Sequence, residues 1–191
     1  MINQKRFRLM KKFKIFISIT SLSFFIIGCM SLSPTAPPIP DNLYKPSPTR
    51  INNINGINIS LPDGWKNVPD IPKNYKESGG IIYLEHKEFG NIIIYKKPFI
   101  ADERYGKLFL STMIPSVMPD AQSSREMALK KGGILQIHKG TISVEGERFD
   151  YIIYTAYNID QGAYYMHSGI IDKPENKKLL NDFIAIADSI N

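Results

Sequence analysis

Three histidines are the side chains of this sequence best suited to metal binding or acid–base chemistry. His86, His138 and His167 all fall in segments whose residue pattern predicts β-strands. If the strands brought them together across a sheet, their neutral imidazoles could bind a metal ion. A histidine in a strand is more commonly a hydrogen-bonded packing residue, and no carboxylate pattern accompanies these three. We therefore expect no metal and no cofactor.

A second chemical possibility is a pair of carboxylates that cleaves a glycosidic bond. The acidic residues nearest to predicted strand ends are Glu85, Glu88, Glu145, Glu147 and Asp150. Catalytic carboxylates of glycosidases lie roughly 5–10 Å apart, whereas acidic residues beside turns are usually solvated. The sequence also lacks a Gly-x-Ser-x-Gly elbow, a phosphate-binding glycine loop and a His-Glu-x-x-His motif. We predict that the protein is not an enzyme, with a glycan or peptidoglycan hydrolase as the alternative.

Tyrosines are concentrated in two adjacent predicted strands, and the single tryptophan follows a turn. Both side chains combine a large apolar ring with a polar group, which suits binding surfaces. The same side chains also bridge a sheet and a helix inside a protein core. The candidate interaction surface consists of Trp65, Tyr154, Tyr164 and Tyr165.

Cys29 is the single cysteine, and it follows a segment with three distinct parts. Residues 5–14 contain six basic residues and no acidic one, and an apolar stretch of about 13 residues then runs from Ile15 to Ile27. A transmembrane helix needs roughly 20 apolar residues, so this stretch is too short to span a bilayer. The segment resembles a bacterial lipoprotein signal peptide, with Ile26-Ile27-Gly28-Cys29 as its lipobox.

This resemblance implies that residues 1–28 are removed and that the Cys29 thiol carries a diacylglyceryl group, with an acyl chain such as palmitate on the new amine. Two or three acyl chains anchor a protein durably to a membrane. An aspartate after the cysteine would favour retention in the inner membrane of enterobacteria, but Met30 occupies that position. The expected location is therefore the outer membrane, facing the periplasm, if the cell is Gram-negative.

Removal of the signal segment changes the charge and the chemistry of the chain. The full sequence has 24 basic and 18 acidic residues, and six of the basic residues belong to the signal segment. The mature chain is therefore neutral overall, and its charge does not indicate a nucleic-acid partner. Lipidation of Cys29 also leaves no thiol for a disulfide, a nucleophile or a thiolate metal site.

The composition divides the mature chain into a tether and one domain. Residues 29–50 contain six prolines among small and polar residues, which predicts an extended tether that packs little. Residues 51–191 have a globular composition. Strands are expected at 57–61, 81–85, 92–95, 134–144, 148–158 and 162–172, and helices at 102–114, 123–131 and 174–190.

Both faces of the predicted strand at 148–158 are apolar, so helices should cover both. The expected fold is α+β, with an antiparallel sheet flanked by helices in an α/β/α sandwich. This order of elements resembles the PsbP-like and DcrB-like domains, as do the segments Leu61-Pro62-Asp63-Gly64-Trp65 and Ile186-Ala187-Asp188-Ser189-Ile190. Members of these families are often carried on bacterial lipoproteins or lumenal thylakoid proteins and mostly act in binding, assembly or chaperoning. The resemblance implies no catalytic residue.

These features together predict a membrane-anchored envelope lipoprotein that acts as a non-enzymatic binding or assembly module. Its expected partners are the membrane, through Cys29, and another envelope protein. A narrower alternative is a periplasmic immunity lipoprotein that neutralises a secreted toxin. The alternative from a different class is the hydrolase of envelope glycan or peptidoglycan.

Overall fold

The computed structural model describes residues 38–43, 48–96, 112–158, 164–173 and 176–190. The predicted signal segment 1–28, the anchor residue Cys29 and most of the helix predicted at 102–114 lie outside these ranges. The turn predicted at 159–161 also lies outside them.

Eight strands form one antiparallel sheet, in the order β3-β4-β5-β10-β9-β8-β6, with β7 pairing β8 next to β6. Alternating apolar residues and glycine-containing turns produce the long central strands. At the β8–β9 turn, Glu145 and Gly146 have φ angles of 53° and 86°, the left-handed pair that a two-residue hairpin needs. The strands are β3 (Trp65–Asn67), β4 (Gly80–His86), β5 (Gly90–Lys96), β6 (Gln122–Ser123), β7 (Met127–Ala128), β8 (Ile134–Val144), β9 (Glu147–Asn158) and β10 (Tyr164–Ile171).

A separate two-stranded hairpin consists of β1 (Thr49–Ile54) and β2 (Ile57–Pro62). Alternate residues of β2 are buried, and they join the same apolar cluster as the last helix of the chain. The Ser60 backbone N–H donates a 2.8 Å hydrogen bond to the Ser189 hydroxyl oxygen, which fixes the hairpin against the end of that helix.

Helices cover both faces of the eight-stranded sheet. The helix α3 (Asn176–Ser189) buries Leu179, Phe183 and Ile186 against one face. The short helix α1 (Lys73–Glu77) and the helical residues 112–117, called α2 below, cover the other face with Tyr75 and Met113 among others. This arrangement confirms the predicted α+β fold, with an antiparallel sheet between helices.

The helix predicted at 123–131 is wrong, because this segment forms β6 and β7 along the edge of β8. Ser123 and Glu126 have the spacing of a helix-capping box, but the Ser123 hydroxyl instead contacts the ring of His138. Long-range pairing to β8 has therefore overridden the local helix signal. Helix α2 also extends two residues past Pro115, where the prediction ended it.

The described tether residues are mostly exposed, as a tether that packs little requires, but residues 38 and 39 make contacts with the domain that the prediction did not include. Pro38 forms a parallel bridge with Ala128 in β7, and the Ile39 backbone N–H donates a 3.3 Å hydrogen bond to the Ala128 carbonyl. The Ile39 side chain is half-buried against the main core. Strand β1 begins at Thr49, inside the predicted tether. Among the described residues, no helix is long and apolar enough to cross a bilayer.

Candidate functional site

Trp65 lies at the start of β3, where the Leu61-Pro62-Asp63-Gly64 segment turns the chain into the main sheet. Its side chain is 4% exposed. The indole Nε1–H donates a 3.0 Å hydrogen bond to Oδ2 of Asp182 in α3. The same carboxylate oxygen accepts a 2.8 Å hydrogen bond from Nζ of Lys178, one helical turn earlier. Trp65 is therefore a core residue with a charged hydrogen-bond acceptor and does not belong to an accessible interaction surface.

His86, at the end of β4, completes this group of aromatic and charged side chains. Its ring lies 5.3 Å from the Trp65 ring and stacks on Phe89 at 4.5 Å, and Nζ of Lys178 lies 5.2 Å above the Phe89 ring. The backbone N–H groups of Glu88 and Phe89 donate to Nδ1 of His86. Burial, followed by the nearby Lys178 cation, lowers the pKa of His86. The imidazole is thus a neutral, hydrogen-bonded packing group.

The three tyrosines of the predicted interaction surface are also buried, with exposed fractions of 3% for Tyr154, 7% for Tyr164 and 2% for Tyr165. Tyr154 packs on the Phe183 ring of α3, with ring centres 5.9 Å apart. Burial raises the pKa of Tyr154 to about 12. The prediction that these residues form an accessible interaction surface is therefore wrong. Their rings pack on faces of the sheet that helices cover, so they belong to the core.

A row of polar side chains crosses the opposite face of the sheet, and we call Ser123, His138 and Thr155 the serine–histidine–threonine row. The Ser123 hydroxyl lies 2.7 Å from Nδ1 of His138, and Nε2 of His138 lies 2.9 Å from Oγ1 of Thr155. Because the Thr155 hydroxyl donates to the Gln136 carbonyl, its oxygen accepts from His138 Nε2–H. In a neutral imidazole that donates from Nε2, Nδ1 accepts the hydrogen bond of the Ser123 hydroxyl.

The ring of His138 is 2% exposed, and burial lowers its pKa to about 4. A hydroxyl hydrogen-bonded to an imidazole that a third group orients is the arrangement of an activated nucleophile. A general base acts best when its pKa is close to the working pH. His138 can accept a hydrogen bond at neutral pH, but its low pKa makes it a weak base. The row is therefore better suited to providing hydrogen-bond partners for the two ring nitrogens of a buried histidine than to catalysis.

His167 in β10 lies opposite Thr155 in the strand register, so it continues the row toward the centre of the sheet. Its ring stacks on Tyr95 at 5.5 Å and lies 5.6 Å from the Tyr165 ring. Burial lowers the pKa of His167 to about 4. Its Nδ1 atom is inaccessible to solvent and has no hydrogen-bond partner among the described residues. Burial among these rings therefore favours the neutral form of the imidazole.

The structure does not bring the three histidines together. The alternation of β4 places His86 on the face that α3 covers, with Leu84 and Ile82, whereas His138 and His167 point to the opposite face. Among the residues that the structure describes, no group of three or more potential ligands is positioned for a metal ion.

The five candidate carboxylates lie in two separate groups. Glu85 and Glu88 lie at the β4–β5 turn, Glu145, Glu147 and Asp150 lie at or near the β8–β9 turn, and all except the half-buried Glu85 are exposed. Glu85 lies on β4 and pairs with Lys66 at 3.3 Å, whereas Glu147 and Asp150 lie on β9. Two strands, β5 and β10, stand between β4 and β9. At about 4.8 Å per strand spacing, carboxyl groups on β4 and β9 are roughly 14 Å apart, which exceeds the separation that glycosidases use.

A different set of polar groups lies where the tether meets the domain. The carboxylate of Asp188, near the end of α3, accepts backbone hydrogen bonds from Lys130 at 2.8 Å and Lys131 at 3.5 Å. Asp188 is 6% exposed, and burial raises its pKa. Lys130 and Lys131 themselves are exposed and follow Ala128, the contact of the tether. Asp188 thus fixes a basic turn beside the point at which the tether reaches the sheet.

Sequence reasoning missed Asp182, Lys178, Ser123 and Thr155. A signal for the first two was present, since they stand four residues apart in a predicted helix and Asp182 interrupts its apolar stripe. The chain itself gives no comparable signal for the Ser123–His138 contact, which depends on the pairing of β6 with β8.

One small crevice lies between β9, β10 and the end of α3, and its volume of about 10 Å³ is that of roughly one water molecule. Its walls are mainly apolar and are formed by Leu129, Ala156, Tyr157, Tyr164, Met166, Ala187 and Ile190.

No protein-family model matches this chain, and no curated protein matches it either. Among solved structures, the chain is similar to LpqN of Mycobacterium tuberculosis, which is described as involved in cell envelope biogenesis. The two share 17% sequence identity over 71% of this chain and 82% of that chain, with a TM-score of 0.48. At this identity and TM-score the likeness identifies neither a family nor a function, and the resemblance to PsbP-like domains stays a prediction.

Proposed function

We propose that this protein is a lipid-anchored binding or assembly module of a bacterial cell envelope, held to its membrane by acylation of Cys29. The single observation that carries the proposal is the N-terminal sequence, in which a basic segment and a short apolar segment end at Ile26-Ile27-Gly28-Cys29. Cys29 is the only thiol in the chain, so an acyl group on a cysteine has a single possible position.

A folded domain without catalysis is the second part of the proposal. The low pKa of His138 and the distance between the carboxylates of β4 and β9 support it. The partner that we propose is another envelope protein, bound at the surface of the domain. Met30 after the anchor supports sorting to the outer membrane in a Gram-negative cell.

Metabolic labelling with an alkyne analogue of palmitate tests the anchor. Wild-type protein should take up the label and float with membranes, whereas Cys29→Ala should do neither. A Ser31→Ala variant changes a neighbouring residue without removing the thiol and should be labelled like the wild type. Label on the Cys29→Ala chain would show that the acylated position is elsewhere and would overturn the proposal.

Cross-linking in intact cells tests the binding role. A photoreactive residue at an exposed position, such as Lys66 in β3 or Ile51 in β1, should give one discrete cross-linked protein in stoichiometric yield. The same residue in place of the buried Leu84 serves as a matched control and should give none. Release of sugar from purified envelope glycan by the wild type, with no such cross-link, would instead favour the hydrolase.

A further inference from the structure

The tether contacts the domain at one edge of the main sheet. Pro38 and Ile39 lie beside Ala128 of β7, with the Ile39 backbone N–H donating to the Ala128 carbonyl at 3.3 Å. Ile39 also packs against the core. Eight residues, 30–37, therefore lie between the anchor position Cys29 and the first contact with the domain at Pro38, instead of the 21 residues of the predicted tether that follow Cys29.

The length of this segment limits how the domain faces a membrane. The nine residue steps from Cys29 to Pro38 span about 28 Å in a polyproline conformation, at roughly 3.1 Å per residue, and at most about 32 Å when fully extended, at roughly 3.6 Å per residue. Strand β3 lies at the opposite edge from β7, six strand spacings away in the sheet order, which corresponds to about 29 Å at roughly 4.8 Å each. The chain that leads to Cys29 thus leaves the domain from the β7 edge, and it is about as long as the sheet is wide.

The β7 edge carries a local excess of positive charge although the mature chain is neutral. Between residues 125 and 131 there are three basic residues, Arg125, Lys130 and Lys131, and one acidic residue, Glu126, and Asp188 is a second acidic residue beside the two lysines. Both lysines are exposed, and the buried Asp188 carboxylate fixes the backbone of their turn. Exposed lysines near a membrane surface attract anionic lipids.

Resting on the lipid anchor of the proposed function, we propose that the Lys130–Lys131 turn lies against the anionic headgroups of the membrane that holds Cys29. The opposite edge, with β3 and Lys66, then faces away from the bilayer and is available to a partner. The docked tether and the basic turn lie on the same edge, so together they orient the domain on the membrane and determine which side of it a partner can contact.

The acylated full-length product, reconstituted in vesicles, allows a direct test. Vesicles of phosphatidylcholine with about a third phosphatidylglycerol are compared with vesicles of phosphatidylcholine alone. A water-soluble amine reagent is added, and mass spectrometry gives the modification rate of each lysine. On anionic vesicles Lys130 and Lys131 should react about fivefold more slowly than on neutral vesicles, as expected for lysines at an anionic surface, while Lys66 should be unchanged.

High salt and one substitution separate this contact from simple burial. Protection should disappear at 1 M salt, where the screening length falls to about 3 Å. An Ile39→Asp variant should release the tether from the β7 edge and bring the Lys130 and Lys131 rates close to the Lys66 rate. The circular dichroism spectrum verifies that this variant is folded; if it is not, Ile39→Ser serves in its place.

Equal rates for Lys66, Lys130 and Lys131 on both kinds of vesicle would overturn the proposed orientation. Failure of the anchor itself gives a different result, namely absence of the palmitate label in cells. In that case vesicles that contain a maleimide-bearing lipid capture the chain through Cys29, its single thiol, and the same rates decide the orientation.

Discussion

The indole nitrogen of Trp65 lies 3.0 Å from Oδ2 of Asp182, although 117 residues separate the two in the chain. This contact joins the first strand of the main sheet to the last helix. Asp182 is completely buried, so its charge needs partners inside the protein, and Lys178 supplies a second one at 2.8 Å. Trp65 of the Leu-Pro-Asp-Gly-Trp segment thus links β3 to α3, and its indole N–H fixes the position of the helix.

Replacement of Trp65 by Phe should lower the free energy of unfolding by about 2 kcal/mol, since a hydrogen bond to a charged group contributes roughly 1.5–3 kcal/mol. Urea denaturation followed by circular dichroism measures the change. A double-mutant cycle with Asp182→Ala should give a coupling energy above about 1 kcal/mol. Additive effects of the two substitutions would show that the indole–carboxylate contact contributes nothing to stability.

The turn before Trp65 depends on the absence of a side chain at Gly64. Its φ angle is +91°, and a Cβ atom there would overlap the His86 ring. Gly146 has a φ angle of +86°, but a Cβ atom there would meet only open space. Gly146→Ala should therefore lower the free energy of unfolding by about 1–2 kcal/mol, the cost of a left-handed conformation. Gly64→Ala should lower it by clearly more, because its Cβ atom would also overlap the His86 ring.

Thermal unfolding of the two alanine variants provides the comparison. If Gly64→Ala and Gly146→Ala lower the melting temperature equally, the ring of His86 moves aside without cost and the proposed close approach is unimportant. A His86→Ala background should reduce the difference between the two, because it removes the obstructing ring.

The long strands and the last helix could be predicted because their signals are local. Alternation in β8 and β9 and the apolar stripe of α3 gave bounds within about two residues of those observed. The segment 122–128 could not be predicted in this way, because its strands exist only through pairing with β8. The contact of Pro38 and Ile39 with β7 was missed for the same reason. A proline-rich composition predicts the conformation of the isolated segment, but it does not predict that the segment packs on the edge of a sheet.

The candidate sites show the same division. Composition alone indicated that tyrosine and tryptophan were concentrated, but whether Tyr165 is a surface or a core residue depends on a helix that arrives from elsewhere in the chain. Asp182 interrupts the apolar stripe of α3, which is a local signal, although the sequence analysis did not use it. The contact between Ser123 and His138 required knowledge of the strand register.

The serine–histidine–threonine row predicts a loss of stability in mild acid. The pKa of His138 is about 4 in the folded protein and about 6.5 in an unfolded chain. Between these values the unfolded chain binds a proton that the folded protein does not, so stability falls as the pH is lowered from 6.5 toward 4. The contribution of His138 to this loss is on the order of 3 kcal/mol.

Urea denaturation at several pH values between 6.5 and 4.5 measures this effect. His138→Gln should reduce the dependence of the unfolding free energy on pH without abolishing it, because burial lowers the pKa of His167 to about 4 as well and His167 contributes a similar loss. Gln136→Ala changes the same strand without removing a titratable group, so its slope should equal that of the wild type. An unchanged slope in His138→Gln would show that the buried imidazole does not control acid stability.

Ser123 distinguishes a binding module from a hydrolase. If the row is structural, a fluorophosphonate probe should leave the full-length protein unmodified, because an imidazole with a pKa of about 4 activates a hydroxyl poorly at neutral pH. Ser123→Ala should lower stability by about 1–3 kcal/mol, since it leaves Nδ1 of His138 without its hydrogen-bond donor. Intact-mass spectrometry and urea denaturation provide the two measurements, with the exposed Ser116→Ala variant as the control. A phosphonylated Ser123 that disappears in His138→Gln would instead establish an activated serine, and the non-enzymatic proposal would fail.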